Sequence, residues 1–153
     1  MTPRLNWYAA APELLEAMRD FERRVKSSGL EMSLIELVKI RASQLNGCAF
    51  CLHMHTRDAR AAGESEERLY LLDAWRESPL YSERERAALA WTEALTLLAE
   101  TRAPDDTYAA LAAQFGEAER VKLTMAIVAI NGWNRLAVGF RSLHPSGESR
   151  ART

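Results

Sequence analysis

The chain has 153 residues, 48% of them hydrophobic and 27% charged, a length that suits one domain with a substantial core. A net charge of −1 and a pI near 6.3 leave no electrostatic footprint for nucleic acid or for an anionic membrane surface. No apolar run approaches a membrane span, and Met1-Thr2-Pro3-Arg4-Leu5-Asn6-Trp7 lacks the basic-then-apolar pattern of a secretion signal, so a cytoplasmic location is expected.

No segment alternates apolar and polar residues over a useful length, and the pattern predicts helices throughout. The first is expected from Pro12 to about Lys26, with Pro12 at an early position, Ser27-Ser28-Gly29 as its end, and Leu14, Leu15, Met18, Phe21 and Val25 as its apolar stripe. A second starts after Ser33, where Ser33-Leu34-Ile35-Glu36 fits a capping box and Met32 with Leu37 fits a hydrophobic staple. It runs to the break at Asn46-Gly47. The third begins near Cys48 and ends at Ala62, with Gly63 as its C-terminal stop. A fourth spans about Glu66 to Trp75, before Ser78-Pro79.

Ser82-Glu83-Arg84-Glu85 is a second capping box, opening a long helix that holds Leu89, Trp91, Leu95, Leu97 and Leu98. Pro104 opens a shorter helix ending near Phe115-Gly116, and the last runs from Glu117 to about Arg141. The expected organisation is one all-α domain over residues 1–143, followed by a polar tail, 144–153, expected to fray.

The chemistry concentrates in Cys48-Ala49-Phe50-Cys51 and His55, a stretch that holds both cysteines of the chain. On a helix, positions i and i+3 share a face, so the two thiols can close a disulfide, and His55 lies one turn beyond Cys51 on that face. A helix start favours the Cys48 thiolate through unpaired backbone N–H groups, whereas a neighbouring imidazole favours the Cys51 thiolate. Spacing alone leaves both open as the nucleophile. In a reducing compartment such a pair is expected to be catalytic or metal-binding rather than a staple. The alternatives are two cysteines acting as small buried hydrophobes, or a zinc site that would need a fourth ligand from a second segment. His53 points off the dithiol face, and His144 lies near the tail.

Glu36 has two readings. It completes the capping box, or it faces the dithiol from the preceding helix. Two helices joined at Asn46-Gly47 pack antiparallel, which brings Glu36 toward His55. A carboxylate there would orient the imidazole and raise its basicity. Lys39 and Arg41 of the same helix read as a solvated face.

Glu36, then Cys48-Ala49-Phe50-Cys51, then His55 resembles the AhpD-like alkylhydroperoxidase branch of the carboxymuconolactone decarboxylase family. The run Leu34 to Lys39, Asn46-Gly47-Cys48, and Met54-His55-Thr56-Arg57-Asp58-Ala59 is similar to that family's core, and Glu85 to Ala94 is similar to its following helix. The resemblance implies an AhpD-like all-helical subunit, assembled as a homotrimer or homohexamer, with no bound cofactor and no metal. It also implies a thiol-dependent peroxidase. Cys51 would attack a hydroperoxide, Cys48 would resolve the sulfenic acid, and His55 with Glu36 would relay protons. An external thiol or dithiol reductant, lipoylated or thioredoxin-like, would reopen the disulfide. The chain departs from the best-known redox members at Phe50, where they carry a His before the second Cys.

Two other functions compete. The family's decarboxylase chemistry needs a cationic anchor for a small acid, for which Arg41, Arg57 and Arg135 are candidates. A non-enzymatic dithiol redox sensor is the other. Trp133 and Asn134, or Trp7 and Tyr8, are candidates to line a pocket or an interface.

Overall fold

The structure, a computed structural model, describes residues 1–145. Among these residues every regular element is helical: α1 (Trp7–Ala10), α2 (Pro12–Lys26), α3 (Met32–Leu45), α4 (Ala49–Ala61), α5 (Glu66–Leu71), a 3-10 turn (Leu72–Ala74), α6 (Glu83–Thr96), α7 (Leu98–Thr101), α8 (Asp105–Gln114) and α9 (Glu117–Phe140). Of the tail expected over 144–153, residues 146–153 lie outside the described part.

Helix α3 is the centre of the molecule and packs against α4, α6 and α9. Its sequence has no polar face long enough to meet water, and every residue from Leu34 to Ser43 is buried. Leu34, Ile35 and Val38 join Trp91, Leu111, Phe115, Leu123 and Ile127 in the largest apolar cluster. Leu37 and Ile40 turn the other way, toward Leu69, Leu72, Trp75, Tyr81 and Leu89. Each such aliphatic side chain contributes about 1.5–3 kcal/mol by leaving water. The expected solvated face of Lys39 and Arg41 is therefore wrong: Lys39 is 0% and Arg41 7% exposed. Their charges are neutralised inside, Lys39 by Glu22 and Arg41 by Glu93 and Asp73.

Several boundaries differ from expectation for local reasons. The Ser33 capping box does not form. Helix α3 starts two residues earlier, at Met32, with Glu31 before it and no side-chain cap. The Glu31 carboxylate is held instead by Arg84, at 2.9 and 3.2 Å. Ser82 does cap α6, with Glu85 returning the bond to the Ser82 N–H. At the start of α9 the Glu119 carboxylate accepts from the Gly116 N–H at 3.0 Å. The fourth helix tightens into its 3-10 turn at Leu72, and the long helix divides at Leu97. On α2, Leu15 and Val25 are buried but Leu14 is 67% exposed. Helix α1 was not anticipated.

The turn between α3 and α4 sets up the site. Gly47 adopts φ +63°, a conformation that a side chain would strain, and α4 starts two residues later. Asn46 locks the turn to α9, donating to Asn131 Oδ1 at 3.0 Å and Asn134 Oδ1 at 2.9 Å.

Candidate active site

Cys48 is the N-cap of α4, and its Sγ accepts from the Cys51 backbone N–H at 3.3 Å. Both thiols are free and buried, among Ala42, Ile130 and Ala137. Helical spacing places Cys51 one turn above Cys48 and His55 one turn above Cys51.

The Cys48 thiol is pulled down to about 7. A hydrogen bond from the Cys51 thiol is the main cause. Burial opposes it, and the Cys51 N–H, the Asn134 side chain and the Phe50 N–H assist it. The Cys51 thiol is pushed up because it donates to Cys48, is buried, and feels the Cys48 charge. The pair thus carries one negative charge near neutrality and shares the remaining proton. Asn134 is itself fixed, donating to Ser43 Oγ at 3.0 Å. It supports the sulfurs, while Trp133 is the one of the two that lines a pocket.

Glu36 and His55 meet across the α3–α4 interface, His55 Nδ1 to Glu36 Oε2 at 2.8 Å, with both side chains buried. Its partner is the imidazole, not the helix cap. Burial would push the Glu36 carboxyl up. The His55 hydrogen bond and the charges of His55, Lys39 and Lys26 outweigh it and hold the group below its ordinary value. An ionised Glu36 takes the Nδ1 hydrogen and leaves Nε2 as a base.

A cavity of about 260 Å³ opens on this apparatus. Cys51 and His55 line it, whereas Cys48 does not. Its walls are aromatic and soft: Trp7, Tyr8, Phe50, Met54 and Trp133. Trp7 stacks on Tyr8 at 3.9 Å and lies 6.3 Å from Trp133. The N-terminal segment is pinned over the cavity by α9. The Arg4 N–H donates to Phe140 O at 3.0 Å, the Arg4 guanidinium to Gly139 O at 2.9 Å, and Trp7 Nε1 to Ser142 Oγ at 3.1 Å.

Charged residues complete the rim. Glu22 lines the cavity, pairs with the buried Lys39, and accepts from Trp133 Nε1 at 3.3 Å. Sequence reasoning missed Glu22, and the usable signal was a lysine inside a helix with no polar face. Arg41, Arg57 and Arg135, the expected acid anchors, do not line this cavity; Arg19 and Lys26 do. His53 stands outside it, stacked on His144 at 4.7 Å. Among the described residues no three His, Cys, Asp or Glu side chains gather to hold a metal ion.

The helical architecture and the Cys-x-x-Cys at a helix start are those of an AhpD-like protein. Residues 12–94 match the model of the carboxymuconolactone decarboxylase family, and the chain belongs to that family. It is 44% identical over 138 residues to the uncharacterized protein YdfG of Bacillus subtilis, covering 90% of this chain and 94% of that one. A solved structure of a protein of unknown function from Agrobacterium tumefaciens, proposed to be the antioxidant-defence protein AhpD, is 52% identical. It superposes with a TM-score of 0.93, covering 95% of this chain and 99% of that one. The debrominase Bmp8 shares the fold at 19% identity and a TM-score of 0.77, over 93% of this chain and 76% of its own.

Proposed function

We propose that this protein is a thiol-dependent peroxidase that reduces an organic hydroperoxide with its Cys48/Cys51 dithiol. The observation that carries the reading is the pairing of Cys51 with His55 on one cavity, with His55 held by Glu36 at 2.8 Å. Membership of the family adds support.

The chemistry balances as a two-electron cycle. His55 takes the Cys51 proton, and the Cys51 thiolate attacks the distal peroxide oxygen. An S–O bond forms, the O–O bond breaks, and the leaving alkoxide takes up a proton as alcohol. Cys48 then attacks the Cys51 sulfenic acid, forming the disulfide and releasing water with a proton returned by His55. An external dithiol, on a lipoylated or thioredoxin-like protein, reduces the disulfide in the reducing cytoplasm. Cys51 takes the attacking role because it alone of the two thiols lines the cavity.

A homotrimer or homohexamer is part of the proposal. Val121, Met125 and Val128 form a stripe on α9 and are 63%, 41% and 52% exposed, an apolar row suited to self-association.

The test is a thiol count on reduced protein before and after one equivalent of organic hydroperoxide. Loss of both thiols, a Cys48–Cys51 disulfide by peptide mass, and no reaction in Cys51→Ser are expected. Thiols that stay free would reject the peroxidase reading.

A further inference from the structure

We propose that Tyr8 is a catalytic proton donor of this site, its hydroxyl protonating the oxygen that leaves when Cys51 attacks the peroxide. This rests on the peroxidase reading above. It extends that reading with a residue outside the span, 12–94, that matches the family.

The scission of an O–O bond places negative charge on the departing oxygen, and a basic alkoxide leaves slowly unless a donor stands beside it. His55 is already assigned to the proton of Cys51. Among the other polar residues lining the cavity, Glu22 is engaged by Lys39 and Trp133, Asp58 brings a carboxylate, and Arg19 and Lys26 lie near carboxylates, Glu16 at 3.6 Å and Glu22 at 4.0 Å. Tyr8 is the single lining residue with a hydroxyl.

Two neighbours hold it, Trp7 and Arg19. The ring stacks on Trp7, Trp7 is anchored to Ser142, and the Arg19 guanidinium lies 5.9 Å from the Tyr8 ring centre. Tyr8 is 42% exposed, so solvent can return its proton after each turnover. Burial, opposed by the Arg19 charge, raises the phenol above its ordinary value, so it is a donor at neutral pH.

The step balances. The Cys51 sulfur forms a bond to the distal oxygen, the O–O pair departs with the proximal oxygen, and the Tyr8 O–H proton moves to that oxygen to give alcohol. The phenolate recovers a proton from water.

The experiment compares wild type and Tyr8→Phe in three single-turnover reactions. These are oxidation by tert-butyl hydroperoxide, oxidation by peracetic acid, and alkylation by iodoacetamide. An alkoxide needs the donor, whereas acetate and iodide leave without one. The expected result is a loss of about a hundredfold with tert-butyl hydroperoxide, with the other two rates unchanged. Equal losses in all three would show that Tyr8 merely shapes the cavity, and no loss in any would show that it is idle; either overturns the inference. Failure of wild type to react with both oxidants, while iodoacetamide still reacts, would instead reject the peroxidase reading and this inference with it.

Discussion

His55 Nδ1 and Glu36 Oε2 stand 2.8 Å apart, buried between α3 and α4 and nineteen residues apart in sequence. The contact orients the imidazole toward the cavity. Glu36→Gln keeps the shape but removes the charge that stabilises an imidazolium. The peroxide reaction should slow by about a hundredfold at neutral pH, a general-base loss, while iodoacetamide at high pH, where hydroxide replaces His55 as the base, should react as before. Unchanged peroxide kinetics would leave Glu36 without a relay role.

The thiol pair should show one ionisation near pH 7 in a thiolate-absorbance titration, since Cys48 is held at about 7. Cys48→Ala should abolish that step, because the remaining Cys51 loses its place in the shared pair and stays buried. Cys51→Ala should only move the step upward, because the helix N–H groups and Asn134 remain. A step that survives near neutrality in Cys48→Ala would place the charge on the wrong sulfur.

Lys39 is buried and pairs with the half-buried Glu22, and removing Lys39 takes away the cation closest to that carboxylate. Lys39→Met should cost about 3–5 kcal/mol, read as a lower urea midpoint. Adding Glu22→Gln should recover most of it, since the glutamine keeps a partner in Trp133 and no charge is stranded. Additive losses in the double variant would contradict the pairing.

Acid should unfold the protein through one buried and two half-buried carboxylates. Burial would raise Glu36, Glu85 and Glu93, but hydrogen bonds and cations, from His55, Arg68, and from Trp75, Arg76 and Arg41 respectively, hold all three below the ordinary 4.5. Groups depressed in the fold stabilise it fully above the unfolded value, and that contribution disappears as pH falls through the folded values. Stability should be flat with respect to these groups above about pH 5 and fall steeply below it, and Glu93→Gln should flatten that fall.

Trp7→Ala should unroof the cavity. Trp7 is 6% exposed and its loss should cost about 3 kcal/mol. Cys51 in reduced protein should become more reactive toward a bulky maleimide, while a small alkylating agent gains less. Equal reactivity would mean that Trp7 does not cover the thiol.

Much of this site was legible in the sequence, for physical reasons. The offset from Cys48 through Cys51 to His55 survives because a helix imposes it, and Asn46-Gly47 announced the turn that folds Glu36 back onto His55. Ser33 misled because a capping box is a local signal: the helix begins at Met32 instead, and the Glu31 carboxylate before it is held by Arg84, far along the chain. Lys39 and Arg41 misled because charge was weighed above their setting. In a helix apolar on all sides, even a lysine goes inside if a carboxylate meets it. Helix α1 spans four residues, too few for any periodicity, and it exists because Trp7 finds α9.

The anchorage of Trp7 to Ser142 joins positions 135 residues apart. During synthesis the dithiol turn emerges well before the wall that Trp133 provides. A nascent chain therefore displays its two cysteines without a roof, open to any passing oxidant or thiol. Only when α9 is complete does the amino-terminal segment find its seat. The fold guards this pair only once Trp7 and Ser142 have met.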